Sequence, residues 1–180
     1  MYFVKSELMD KAAVRRSLAR ITHEIIERSK GTENVCIIGV KSRGVYLADI
    51  LAENIRKFEN VSVPVGYIDI TSFRDDRSHD GESLVRNTVD FDLNGMKVVL
   101  VDDVICTGRT ARAAIEAIFV LGRPSSIQLA VLVDRGHREL PIHPDFVGKN
   151  IPTSKDEFVS VLLDEHDGST AVRIMGKSKD

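Results

Sequence analysis

The chain has only two cysteines among its 180 residues, Cys36 and Cys106. They show no C-x-x-C spacing and no nearby pair of histidines, which argues against a zinc site. Cys36 lies in an apolar run and reads as core. No apolar run approaches the ~18 residues that a membrane-spanning helix needs. The opening Met1-Tyr2-Phe3-Val4-Lys5 is too short an apolar stretch for a secretory leader, so a cytoplasmic location is expected. Neither sign of charge dominates: 25 Lys and Arg against 27 Asp and Glu leave a formal charge of −2. That excludes a protein coated in positive charge for nucleic acid, but not a local basic face. Internal repeats, low-complexity tracts and linkers are also missing. What is present, 43% apolar and 29% charged residues, is an ordinary globular composition. A single α/β domain over residues 1–180 is expected, large enough to need neither disulfide nor metal.

The first long element is a helix, with Asp10 as N-cap and Gly31 as the stop. Val14, Leu18, Ile21 and Ile25 form its apolar stripe, and Arg16, Arg20, His23 and Glu27 fall on a polar face. Val35 to Val40 is a continuous apolar run, as in a buried parallel strand. The loop Lys41-Ser42-Arg43-Gly44 follows, then a helix through Leu47, Ile50, Leu51 and Ile55. Val63 to Ile70 reads as a second strand, Met96 to Val101 as a third and Ile127 to Val133 as a fourth. Phe158 to Leu163 and Ala171 to Met175 read as a fifth and sixth. A helix from Thr110 to Leu121 closes at Gly122 and Pro124. Alternating strands and helices predict a mostly parallel sheet flanked by helices. Between Thr71 and Asp92 the periodicity breaks. Arg74, Asp75, Asp76, Arg77, His79, Asp80, Glu82 and Arg86 crowd a stretch that reads as a functional lid or as a solvated charged loop.

The decisive segment is Val98-Val99-Leu100-Val101-Asp102-Asp103-Val104-Ile105-Cys106-Thr107-Gly108-Arg109-Thr110. In open α/β sheets, ligands bind beyond the carboxyl ends of the strands. The helix that opens after this loop offers unpaired N–H groups and a partial positive charge to a phosphate. Gly108 permits close backbone approach, and Thr107 and Thr110 add hydroxyl donors. The paired carboxylates would repel the phosphate. They suit sugar hydroxyls instead, or a Mg²⁺ that also holds a pyrophosphate. Other nucleotide motifs fail: no G-x-G-x-x-G follows a strand, and Val45 stands where a Walker loop requires Lys. The bland alternative is an acidic helix start without a ligand.

Four apolar residues, Asp-Asp, three residues and Thr-Gly-x-Thr resemble the loop by which type I phosphoribosyltransferases bind 5-phosphoribosyl-1-pyrophosphate (PRPP). Within that family the chain resembles the bifunctional pyrimidine operon regulators and uracil phosphoribosyltransferases. The resemblance runs over nearly the whole chain, through Ile68-Asp69-Ile70-Thr71-Ser72-Phe73-Arg74-Asp75-Asp76 and Leu132-Val133-Asp134-Arg135-Gly136-His137-Arg138-Glu139-Leu140-Pro141 to Gly148-Lys149-Asn150-Ile151-Pro152. It implies the type I fold, with a flexible lid at 71–92 and a small hood from the N-terminal and 134–180 segments. It also implies that uracil displaces pyrophosphate from PRPP to give UMP, with Mg²⁺ carried by PRPP near Asp102 and Asp103.

The resemblance further assigns Asp102, Asp103, Arg43 and Arg74 to catalysis. PRPP would be held by Ser42 and Arg43, by Asp102 through Thr110 (Val104, Ile105, Cys106, Thr107, Gly108 and Arg109 between them) and by Arg86. Asp134, Phe158, Val159 and Asp164 would meet the base. Arg43 could instead be a surface cation, and Phe158 ordinary core. Relatives often carry Tyr at Cys106, which reads as a non-catalytic variant.

A second implied activity is binding of a pyrimidine-gene mRNA leader hairpin when UMP or UTP is present, through Arg20, His23, Arg28, His137, Arg138 and Lys149. Ala19 and His143 depart from the pattern, and these cations could equally be solvated surface or a contact between copies in a homo-oligomer. A non-catalytic PRPP-sensing regulator and a transferase for another base, such as hypoxanthine or orotate, are the competing expectations.

Overall fold

The computed structural model describes residues 2–73 and 88–177. Five strands form a parallel sheet: β2 (Val35–Val40), β3 (Val65–Ile68), β4 (Lys97–Ile105), β5 (Ser126–Asp134) and β6 (Phe146–Asn150), in the order β3-β2-β4-β5-β6. Three helices cover it: α1 (Lys11–Ser29), α2 (Arg43–Glu59) and α3 (Arg109–Leu121). Alternation along β2 and β4 sends side chains to opposite faces. Val35, Ile37, Val99 and Val101 pack in one core with α1 and α2. Cys36, Ile38, Val98 and Leu100 pack in a second core with Ala113, Ala114, Ala117 and Ile118 of α3. Both faces are buried, so these strands read as unbroken apolar runs rather than alternating ones.

A second, three-stranded antiparallel sheet pairs β1 (Tyr2–Met9), β8 (Ala171–Lys177) and β7 (Phe158–Leu162), in the order β1-β8-β7. A short helix α4 (Asp164–Asp167) connects its last two strands.

Several readings shift. Phe158–Leu162 and Ala171–Lys177 are strands, but of this small sheet, not the parallel one. The fifth parallel strand is Phe146–Asn150, inside the segment assigned to the hood. Its pattern hides it, because only Phe146 is buried on this edge strand. β1 went unread for the same reason, with Met9 its one buried residue. β3 is shorter than the apolar stretch that suggested it. The α1 stripe of Val14, Leu18, Ile21 and Ile25 is buried. Asp10 caps α1 by accepting from the Ala13 amide at 2.7 Å. At the other end Lys30 turns left-handed, and the Gly31 N–H reaches the Ile26 carbonyl at 2.9 Å. That closure is common at helix ends.

The order of the parallel sheet fixes where a site can form. From β2 the chain crosses to β3 on one side, then returns to place β4 on the other. The strand order therefore reverses between β2 and β4, where the loops beyond the strand ends part and leave a crevice.

Candidate active site

Two loops border that crevice. The first runs from β2 into α2 through Lys41 and Ser42, whose peptide bond is cis. It is tight because α2 starts against the neighbouring strand. A Cβ added to Gly44 would lie 2.5 Å from the Val101 carbonyl oxygen of β4, closer than any side chain tolerates. Arg43 is the first residue of α2.

The second loop follows β4. This strand runs four residues further than its apolar core suggested, to Ile105, so Asp102 and Asp103 stand on the strand end rather than in the turn. Asp102 Oδ1 accepts from the Asp103 amide at 2.9 Å, and Asp103 Oδ1 from the Val104 amide at 2.8 Å. Burial pushes the Asp103 carboxyl above its ordinary pKa, against the opposing pull of the Val104 amide and the Arg43 guanidinium. The two acids and Arg43 thus share one electrostatic environment.

Past Ile105 the turn of Cys106, Thr107 and Gly108 leads into α3. Gly108 is the N-cap with φ 92° and brings no side-chain cap of its own; the Arg109 amide donates to Thr107 Oγ1 at a long 3.3 Å, and a helix start of this kind attracts an anion. Left-handed φ is natural to glycine and strained for other residues. A cavity of about 70 Å³ opens here, lined by Asp102, Val104, Ile105, Cys106, Thr107, Gly108 and Thr110 among others. Arg109 is exposed and pairs with Glu139 at 2.8 Å. Cys106 is partly buried, whereas the Cys36 thiol is fully buried and pushed up to about 12 by desolvation.

The hood reaches this crevice through α4. Arg43 Nη2 and Nε donate to the two Asp167 carboxylate oxygens at 2.8 and 3.2 Å. Asp167 also accepts from the Leu163 amide at 2.9 Å. The Arg43 guanidinium holds the Asp167 carboxyl down at about 2. Next to it, His166 meets Tyr46 of α2 edge to face at 5.8 Å. Asp167 was not foreseen. Its only sequence signal is the run Leu163-Asp164-Glu165-His166-Asp167, which does not say which acid turns inward.

The expected base-binding residues divide. Asp134 ends β5 directly beside Ile105 and is salt-bridged to Arg138 at 2.6 Å. Burial works to raise its pKa, but the Arg138 guanidinium and the Gly136 amide outweigh it and hold the carboxyl below its ordinary value. Phe158 and Val159 point apart. Strand neighbours point to opposite faces: Val159 packs on the main core, while Phe158 meets the Tyr2 ring edge-on at 5.0 Å. Asp164 is bound to the Lys11 ammonium and lines a groove of about 770 Å³ between α1 and α2. That groove is larger than the phosphate-loop cavity, but Asp102, Asp103, Thr107 and Arg43 do not line it.

Arg74 and Arg86 lie outside the described residues, as does positions 74–87 of the expected lid. At the near edge of that segment, Thr88 exchanges two backbone hydrogen bonds with Tyr67 of β3, at 2.9 and 3.1 Å.

The expected RNA residues also separate. Arg20 donates to the Gly148 carbonyl at 2.7 Å and pairs with Glu24. Arg28 pairs with Asp145 and lies over the Phe146 ring. Lys149, on the same edge strand, is exposed and donates to the Leu8 carbonyl. These three cations collect where α1 crosses β6. His23 stacks flat on Phe58, 4.3 Å between ring centres. His137 is exposed, with φ 61° and its Nε2 2.6 Å from the Thr153 carbonyl. Arg138 does not join them on the surface. It is 14% exposed, and its guanidinium is turned into the phosphate loop.

A parallel sheet whose strand order reverses between β2 and β4, with paired acids leading into a helix start at that point and a small antiparallel sheet beside it, is a type I phosphoribosyltransferase fold. The phosphoribosyl transferase domain family matches residues 5–166, and the chain belongs to that family. Relatives called Bifunctional protein PyrR match almost end to end. That of Caldicellulosiruptor bescii is 56% identical over 93% of each chain. That of Brevibacillus brevis is 56% identical over 94% of this chain and 96% of its own. That of Limosilactobacillus fermentum is 57% identical over 90% and 93%. Among solved structures, a hypoxanthine-guanine phosphoribosyltransferase from Bacillus anthracis superposes with TM-score 0.73 at 19% identity, over 98% of this chain and 100% of its own. The hypoxanthine phosphoribosyltransferase of Trypanosoma cruzi gives 0.75 at 20%, over 97% and 98%. At such identities these two speak for the fold alone. Among the described residues, no helix is long and apolar enough to cross a membrane.

Proposed function

We propose that the chain transfers the phosphoribosyl group of PRPP to uracil, giving UMP and pyrophosphate, and regulates pyrimidine genes by nucleotide-dependent binding of an mRNA leader. The observation that carries the enzymatic half is the pair Asp102-Asp103 at the end of β4, followed directly by the Gly108-capped start of α3.

In this transfer, positive charge builds on the ribose ring and negative charge on the departing pyrophosphate. The loop amides and the Thr107 and Thr110 hydroxyls take the 5-phosphate. Asp102 and Asp103 accept from the ribose hydroxyls and favour the ring's growing positive charge. Ser42 and Arg43 face the pyrophosphate, with Asp167 fixing the direction of the guanidinium. Asp134 stands at the base end. The family resemblance also assigns Arg74 and, more weakly, Arg86 to the pyrophosphate, in a lid that would exclude water; both lie outside the described residues. Holding the reactants in line supplies ~7–11 kcal/mol of the barrier reduction, and oriented cations around the leaving group add to it.

Magnesium enters with the substrate. Among the described residues no group of three His, Cys, Asp or Glu forms a metal site. Asp102 and Asp103 would hold such an ion beside the substrate. When bound, it would supply charge neutralisation to the pyrophosphate.

The regulatory half rests on Arg20, Arg28 and Lys149, gathered where α1 crosses β6; Glu24 and Asp145 pair with the two arginines, and RNA phosphates would have to replace those acids. Such a cluster grips phosphates and unpaired loop bases. We place the protein in the cytoplasm, as a homo-oligomer.

The test is UMP formation from uracil, PRPP and Mg²⁺, with hypoxanthine and orotate offered in competition. Uracil is expected to be consumed first. A rate equal to the enzyme-free blank would favour a regulator that only senses PRPP, and preference for another base would replace uracil.

A further inference from the structure

We infer that Arg138 is a positioning residue for the transferase site, tying the base-side carboxylate to the phosphate loop, rather than a surface cation. The inference deepens the proposed function and rests on it. Arg138 sits four residues past Asp134, where the chain leaves β5. One terminal nitrogen donates to Asp134 Oδ2 at 2.6 Å, and the other donates to the Cys106 carbonyl, inside the phosphate loop, at 2.7 Å. Asp134 is fixed from its other oxygen by the Gly136 amide at 2.9 Å. Both partners of the ion pair are only 14% exposed. The Arg138 Nε is buried and makes no hydrogen bond among the described residues. A guanidinium seated this way presents little charge to a macromolecule outside.

The segment around it closes on the same loop. The Glu139 and Leu140 amides both donate to the Thr107 carbonyl, at 3.0 and 3.1 Å, and the Arg135 amide to the Ile105 carbonyl at 3.1 Å. Glu139 also takes Arg109. A Cβ placed on Gly108 would meet Leu140, Ile142 and Arg138 at 3.5 to 3.8 Å. The phosphate loop therefore rests on residues 138–142, and Arg138 is the member that reaches both ends of the site. It bridges two acceptors because its fork of donors is rigid and planar. The pairing also leaves the Asp134 carboxylate compensated and oriented. Movement of Asp134 as a base enters would be passed to the Cys106 carbonyl, and so to the turn that holds the phosphate.

The experiment is steady-state kinetics of Arg138→Lys, with Arg138→Ala beside it, measuring KM for PRPP and for uracil separately together with Tm. Lysine keeps the charge and the stem but cannot span both acceptors. Losing one internal hydrogen bond to a charged partner costs stability worth about tenfold in an equilibrium constant or more. Arg138→Lys should therefore lower Tm modestly while remaining folded at the assay temperature, and should raise KM for PRPP and for uracil together by about tenfold. Were both KM values within twofold of wild type while leader-RNA binding fell, Arg138 would be an RNA contact and the inference would be overturned. If the alanine variant does not hold its fold, the lysine variant alone decides. Failure of the wild-type protein to make UMP would remove the underlying reading as well, whereas wild-type turnover with an unaffected variant would remove this inference alone.

Discussion

The phosphate loop and the hood complete one site by opposite routes. The loop is local: the residues from Asp102 to Thr110 pass from a buried strand into a helix start, a geometry that suits an anion. The hood is assembled from both ends of the chain, with Tyr2–Met9 paired to Ala171–Lys177, and it reaches the crevice through one carboxylate, Asp167. A loop of the first kind carries the chemistry in its own residues. A module of the second kind acts through what it holds in place, here Arg43. Damage to the loop should therefore lower turnover far more than damage to the hood link.

The largest effect is expected from Asp102→Asn with Asp103→Asn. Catalytic efficiency should fall about 10²- to 10³-fold, the range seen when one transition-state stabiliser is removed. Thermal stability should hold or rise, because the raised Asp103 pKa marks a charge that burial disfavours. A large drop in Tm would make these acids structural and erase the contrast.

Asp167→Ala comes next. It frees Arg43, so kcat should fall about tenfold with little change in KM for uracil, and Asp167→Glu should recover part of the loss. A loss as deep as that of the aspartate pair would break the distinction between the two regions. The same contact has a pH signature. Arg43 depresses the Asp167 carboxyl to about 2 in the folded state, below its ordinary value of about 4. Its stabilisation is therefore complete above that ordinary value and is lost as the pH falls from about 4 toward 2. Acid titration followed by near-UV circular dichroism should show that component in the wild type and not in Asp167→Asn.

The contrast also explains what could be read from the chain. The β4-to-α3 segment declared itself because adjacent residues share the task, and β2 because a strand buried on both faces is apolar throughout. β1 and β6 stayed hidden as edge strands with one buried residue each. Phe158 and Val159 are expected at the base from the family resemblance alone, which does not reveal that their side chains point to opposite faces of the small sheet. Asp167 and Arg138 work through contacts with Arg43 and with Cys106 and Asp134. Such side-chain pairings are set by the fold and leave no motif. Arg138 is the clearest case: the family resemblance offers it as an RNA contact, and in the fold its guanidinium meets the Cys106 carbonyl and Asp134.

Smaller effects sharpen the picture. The thiol of Cys106, in the loop, should react with a disulfide reagent and be protected by UMP. Cys36, buried and raised to about 12, should react only on unfolding. Equal reactivity would mean that the β2 core is open. Smallest of all, Asp10→Ala removes the α1 cap and should cost about 1 kcal/mol of stability by denaturant titration, with unchanged activity per folded molecule. A loss of activity would tie α1 to the site more closely than its packing suggests.

Calorimetric titration of Mg²⁺ and PRPP into the wild type and into a Thr107→Val, Thr110→Val double variant addresses the cradle most directly. The wild type should bind one PRPP per chain, and the variant, equally well folded, should bind at least tenfold more weakly for the loss of two hydroxyl donors. Equal affinity in the two proteins would contradict the placement of the sugar phosphate in the turn after β4.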